Sequence, residues 1–246
     1  MSRIIYMVAS IAIYFIFFAT FLYLIGFVGN LPFLPLTVDR GPEIATAPAL
    51  AIDLALIAAF GVQHSVMARQ GFKRAWTRII PEPLERSMFV LFASLMLIIL
   101  FAFWCPIPAV IWHVEAPIAR DILYGLMGLG WLIVLLSTFL INHFELFGLT
   151  QPLFHMLRRQ PAPAKFRVPF LYKMVRHPLY SGFFIAFWST PTMTAGHLLF
   201  SIGMSVYILI AIRYEERDLV SVFGEDYETY RAKVGMLTPK LGRAGK

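Results

Sequence analysis

Arg176-His177-Pro178-Leu179-Tyr180-Ser181-Gly182 opens a stretch that carries no Lys, Arg, Asp or Glu from residue 183 to residue 212, and closes on Arg213-Tyr214-Glu215-Glu216. The stretch is broken once, at Thr190-Pro191-Thr192-Met193-Thr194-Ala195-Gly196, and proline with glycine in so short a break reads as a turn. Two apolar arms about a turn make a helical hairpin, which returns its second end to the side where it began. Pro178 suits the first turn of a helix, where its missing N–H is not needed. The spacing therefore predicts Arg176 and His177 at the mouth of one arm, with Arg213, Glu215 and Glu216 leaving the other arm at the same mouth. Cations, an imidazole and two carboxylates meet there beside an apolar phase.

The rest of the chain supplies that phase. Of 246 residues, 59% are hydrophobic and only 14% are charged, and the mean hydropathy is +0.72. A water-soluble domain of this size exposes far more charge. Residues 4–30, 88–105 and 122–141 approach or exceed the roughly 18–20 apolar residues that cross a bilayer. Residues 54–67 with their flanks form a further, more polar span. The fold class that follows is all-α: a polytopic membrane bundle with about six crossings, the last two a hairpin, followed by a C-terminal amphipathic helix. The first apolar run is too long for a signal-peptide core and has no small-residue cleavage site, so it is expected to stay attached as the first helix.

With the N-terminus inside and six crossings, all but Arg40 and Arg120 of the 21 lysines and arginines fall on the cytoplasmic side. That bias accounts for the net charge of +7 without nucleic acid; basic loops facing an anionic leaflet suffice. Cys105 is the single cysteine, which excludes an intramolecular disulfide. The six histidines show no metal-ligand spacing, and no Ser-His-Asp signature or phosphate-binding glycine loop is present.

Polar groups inside apolar spans mark sites worth weighing. Asp53, Gln63, His64 and Ser65 interrupt the second span. Asp53, near its outer end, reads as an interhelical hydrogen bond. His64 falls at the cytoplasmic end. The fourth span carries Gly125, Gly128 and Gly130, which read as close helix packing, and ends in Asn142-His143-Phe144-Glu145 at the same side. The segment 152–174, basic and broken by Pro152, Pro161, Pro163 and Pro169, reads as a loop over the mouth.

Beyond the mouth come Leu219, Phe223-Gly224, Tyr227 and Tyr230. The order Arg-His-Pro-x-Tyr-x-Gly, then Glu-Glu-x-x-Leu-x-x-x-Phe-Gly-x-x-Tyr-x-x-Tyr, resembles the integral-membrane methyltransferases of the isoprenylcysteine carboxyl and phospholipid methyltransferase superfamily. One departure is visible: those proteins tend to carry proline just after the position of Val234, where Gly235 stands here, and proline comes only at Pro239. A narrower resemblance, to the bacterial methanethiol S-methyltransferases, rests on Gln63-His64-Ser65-x-Met67-Ala68-Arg69, Glu85-Arg86-Ser87 and the 142–149 segment. NnrU-type membrane proteins share part of it.

The resemblance implies S-adenosylmethionine as methyl donor and a small thiol such as methanethiol as acceptor, in one methyltransferase domain over residues 1–246. Residues 1–150 would be the four-helix scaffold and acceptor side, and 170–240 the cofactor-binding hairpin with the C-terminal helix. The donor would be held by Arg176, His177, Pro178, Tyr180, Gly182, Arg213, Glu215, Glu216 and Tyr227. Arg176, His177 or Arg213 would meet its carboxylate, Glu215 or Glu216 its ammonium, and Tyr180 or Tyr227 its ribose or adenine, with Gly182 allowing close backbone approach. The thiol proton would fall to His143 or His64; Asn142 and Glu145 give His143 polar neighbours. Methylation of a prenylated cysteine or lipid headgroup, or a non-enzymatic NnrU-type role, are the alternatives. A bacterial inner-membrane location with the site facing the cytoplasm completes the expectation.

Overall fold

The computed structural model describes residues 2–160 and 165–240, so Pro161 and Pro163 of the basic loop lie outside the described residues. Ten α-helices run through them: α1 (Ser2–Val28), α2 (Thr46–Met67), α3 (Gln70–Trp76), α4 (Glu85–Phe103), α5 (Pro117–Ile141), α6 (His143–Leu146), α7 (Thr150–Met156), α8 (Pro178–Trp188), α9 (Ala195–Phe223) and α10 (Glu225–Lys233). Two short strands, β1 (Val110–His113) and β2 (Thr192–Thr194), pair antiparallel.

Five helices, α1, α2, α4 with its leading turn, α5 and α9, are long and apolar enough to cross a membrane. Their outward faces are hydrocarbon, as lipid demands: Ile4, Phe15, Phe103 and Ile118 are all exposed. The hairpin's first arm, α8, is 11 residues, about 16 Å at 1.5 Å per residue, half the thickness of a hydrocarbon core. Its second arm, α9, has 29 residues and reaches about 44 Å, so its last turns extend past any 30 Å apolar slab. That excess length is why a helix with an apolar start can end in Arg213, Glu215, Glu216, Arg217 and Asp218.

The chain forms two compact units. The first comprises residues 1–115, 142–162 and 191–204. In it α4 packs against α1 and α2, and α7 against α1. Buried hydroxyls are satisfied locally or across helices: Ser94 donates to the Val90 carbonyl at 2.8 Å, and Ser10 and Ser87 meet at 2.8 Å. Asp53 is wholly buried and accepts the Cys105 amide at 2.9 Å, so in place of the interhelical bond expected of it, it ties α2 to the loop that follows α4. The break expected to be a simple turn contains β2. Val110-Ile111-Trp112-His113 is too short to announce itself as a strand, and gains its register only from pairing with Thr192–Thr194.

The second unit comprises residues 116–141, 163–190 and 205–246. Its spine is the packing of α5 on α8. A Cβ on Gly182 would stand 2.6 Å from the Gly130 carbonyl oxygen and 2.9 Å from the Val134 nitrogen, and one on Gly130 would stand 2.7 Å from the Gly182 carbonyl oxygen. Both residues must be glycine for the backbones to come this close. Gly125 and Gly128 have nothing within 4 Å, so of the three glycines read as packing only Gly130 packs. Trp131 sits edge-on to Phe183 and Phe187 beside this contact.

Candidate functional site

Pro178 starts α8 at its first position. The residues just before it are held by a strap from the C-terminal end of the same unit. Val175 bridges Gly235 in parallel, the Arg176 amide donates to the Gly235 carbonyl at 2.8 Å, and the His177 amide donates to the Met236 carbonyl at 3.1 Å. Ser181 Oγ adds a bond to the Leu237 carbonyl at 2.7 Å. Gly235 departs from the proline pattern for a visible reason: a Cβ there would overlap the Thr238 carbonyl oxygen.

Side chains lock onto this frame. Arg176 Nε donates to Glu216 Oε1 at 2.8 Å, and its Nη1 donates to the carbonyls of Val234 at 2.6 Å and Arg231 at 3.2 Å. His177 is buried, with Nε2 3.1 Å from the same Glu216 oxygen. Tyr180 Oη donates to Glu215 Oε2 at 2.9 Å. The Glu216 side chain is 13% exposed and that of Glu215 45%. Glu216 is thus the closed hub, and Glu215 the open carboxylate.

Tyr227, from α10, is 2% exposed, yet its phenol oxygen has no hydrogen-bond partner among the described residues. Tyr230 stands beside it and donates to the Tyr172 carbonyl at 2.6 Å, with Phe166 edge-on to both. Burial, followed by the surrounding charges, pushes the Tyr230 phenol up to about 12 and raises Tyr172 and Tyr227 as well. All three stay protonated at neutral pH and offer O–H donors.

The expected donor residues therefore separate. Arg176, His177, Pro178, Tyr180, Glu215, Glu216 and Tyr227 are brought together. Arg213 is exposed and makes no hydrogen bond or ion pair among the described residues. Gly182 does not open backbone to a ligand; α5 fills the space its missing side chain leaves. Arg176 is engaged by one carboxylate and two carbonyls, which makes it a clasp for the strap.

In the first unit, Asn142 caps α6. Its Oδ1 accepts the Glu145 amide at 3.4 Å and its Nδ2 donates to Glu145 Oε2 at 2.6 Å. Both ends of the amide serve the turn. His143 is buried, and its Nε2 lies 2.8 Å from Tyr14 Oη. Phe144 and Phe147 stand edge-on to the imidazole, and Phe17 stacks on Phe147. Burial lowers the His143 pKa from the ordinary histidine value. His64 is half-buried against Phe60 and Phe89.

No protein-family model matches the chain, and no solved structure matches it. Curated relatives do. Methanethiol S-methyltransferase 1 of Bradyrhizobium diazoefficiens is 52% identical over 230 residues, covering 94% of this chain and 80% of that protein. The chain belongs to the methanethiol S-methyltransferase family. The methanethiol S-methyltransferase of Crocosphaera subtropica is 48% identical over 243 residues, covering 99% of the chain and 95% of that protein. That of a Pseudomonas species is 51% identical over 231 residues, covering 94% and 88%.

For this methanethiol S-methyltransferase family member, sequence reasoning missed three groups. Tyr14 lies in a helix rich in aromatics, where nothing separates it from its neighbours. Tyr172 lies in the basic loop without a motif. The Val234–Leu237 strap acts through carbonyls, which every sequence has; Gly235, read only as a departure, was its one signal.

Proposed function

We propose that the protein transfers a methyl group from S-adenosylmethionine to a small thiol, methanethiol, giving dimethyl sulfide. We also infer that it does so on the cytoplasmic side of a bacterial inner membrane. The acceptor half is supported by relatives of about half identity over almost the whole chain that are named for methanethiol. The single observation carrying the donor half is the sealed, unpartnered Tyr227 phenol beside a set of oriented charges.

The donor's groups fit the residues present. Glu215, open to nearly half, offers a carboxylate to an ammonium; Arg213, exposed and unengaged, offers a guanidinium to a carboxylate. Tyr227 supplies an O–H for a ribose or adenine acceptor, and the Arg176–Glu216–His177 frame keeps α8, α9 and the strap in place around it. When bound, the sulfonium supplies an electrophilic methyl group.

The attacking form of a thiol is its thiolate. A residue that takes the proton therefore assists the reaction, and His143 is our choice over His64 because its ring nitrogen lies 2.8 Å from the hydroxyl of Tyr14, a partner that can carry a proton. Thiolate and sulfonium become two neutral thioethers, so charge vanishes along the reaction and a poorly hydrated site favours it.

The test is a substrate panel. Purified protein with S-adenosylmethionine is offered methanethiol, a prenylcysteine analogue or vesicles containing phosphatidylethanolamine. Methyl transfer to methanethiol alone is expected; transfer only to the prenylcysteine or the lipid overturns the acceptor assignment.

A further inference from the structure

The imidazole of His143 is 4% exposed, whereas Tyr14, whose phenol is hydrogen-bonded to it, is half-buried and so the more accessible member of the pair. We propose that Tyr14 is a catalytic residue, the substrate-facing end of a Tyr14–His143 proton relay through which the thiol is ionised. The inference rests on the reading of His143 as the group that receives the thiol proton.

The hydrogen bond spans 129 residues of sequence and joins α1 to the turn that follows α5. A phenol is a better donor than acceptor toward a neutral imidazole, so Oη–H points at Nε2 in the resting pair. The thiol S–H bond breaks as a new O–H bond forms on Tyr14, and the original Tyr14 O–H breaks as N–H forms on His143 Nε2. The pair ends as neutral phenol and imidazolium, with the thiolate released in front of it. With the donor bound, its sulfonium would supply the methyl group that the thiolate takes. Solvent takes the extra proton from the imidazolium afterwards.

The surroundings are arranged for this. Phe144 and Phe147 stand edge-on to the imidazole, and Phe17 stacks behind Phe147. The titratable and charged groups on the packed elements are few. Besides Tyr14, α1 presents Tyr6, which stacks on His155 of α7. From α4, Arg86 donates to the Leu146 carbonyl at 2.7 Å, and on the same turn Glu145 is bound to Asn142. Tyr14 is a titratable side chain hydrogen-bonded to the His143 ring, at 2.8 Å, and so offers a proton path to it.

The experiment compares Tyr14→Phe, His143→Ala and the double variant, with methanethiol turnover as a function of pH and donor affinity by calorimetry. Tyr14→Phe keeps the ring packing and removes one oxygen. Its turnover at neutral pH is expected to fall about 10²-fold, within the usual span for losing acid–base help. The loss should recover as rising pH ionises the thiol in solution, and donor affinity should stay unchanged. The double variant should be no slower than the slower single one, because members of one relay do not add. Normal turnover in Tyr14→Phe with a slow His143→Ala overturns the relay and leaves His143 standing. Normal turnover in His143→Ala overturns both. Multiplying losses in the double variant overturn the relay.

Discussion

Arg176 Nε and Glu216 Oε1 meet at 2.8 Å across forty residues of sequence, with both side chains almost closed to solvent. The pair joins the entrance of α8 to the far end of α9, and the same guanidinium binds the Val234 and Arg231 carbonyls. Removing one partner leaves the other a buried, uncompensated charge. Arg176→Ala is expected to cost about 3–5 kcal/mol of stability, read as a lowered unfolding temperature in detergent, together with loss of donor binding. Glu216→Gln keeps an acceptor oxygen for Arg176 and should lose less. Equal, small effects from both would show that the clasp holds nothing.

Tyr227 separates binding from folding. Its phenol oxygen has no partner to lose among the described residues, so Tyr227→Phe should leave the unfolding temperature unchanged or slightly raised. Donor affinity should fall about three- to tenfold, the worth of one net hydrogen bond of about 0.5–1.5 kcal/mol. Calorimetry with S-adenosylmethionine decides. An unstable variant with full affinity would place the oxygen in the fold and not at the ligand.

The glycines of α5 and α8 make a contrast within one pair of helices. Gly182→Ala puts a Cβ against backbone atoms at 2.6 and 2.9 Å, which cannot swing aside, and overpacking of this kind costs about 1–3 kcal/mol. Gly128→Ala meets nothing within 4 Å and should gain from helix propensity, by up to about 1 kcal/mol. Thermal unfolding of the two variants should move in opposite directions; movement in the same direction would contradict the packing described.

How much of this was legible in the sequence differs by residue. The spans were, because apolar length is a property of single segments. The mouth was, because Pro178 fixes where a helix starts and the charges around it, Arg176, His177, Glu215 and Glu216, are rare in so apolar a chain. Partnerships were not. Nothing in the order of residues says that Glu216 is closed by Arg176 and His177 while Glu215 stays open, or that Gly182 faces Gly130. Tyr14 shows the limit best: its hydroxyl is chemically singular only because His143 folds against it.

His143 also sets a pH dependence. Burial holds its folded pKa below the unfolded value of 6.5, so the unfolded chain binds more protons in the interval between them. Stability then rises with pH through that interval. It is complete above about 6.5 and is lost as pH falls toward the folded pKa. The unfolding temperature should therefore drop between pH 7 and pH 5, and drop less in His143→Gln. Identical slopes would mean that His143 is solvated.

The central claim, methyl transfer from a sulfonium donor to a small thiol, is tested most directly by following the methyl group itself. Purified protein is given S-adenosylmethionine carrying a deuterated methyl together with methanethiol, and the sealed headspace is analysed by mass spectrometry. Dimethyl sulfide with one deuterated and one ordinary methyl group should accumulate in proportion to the protein. Donor bound at full affinity with no labelled dimethyl sulfide formed would contradict the account.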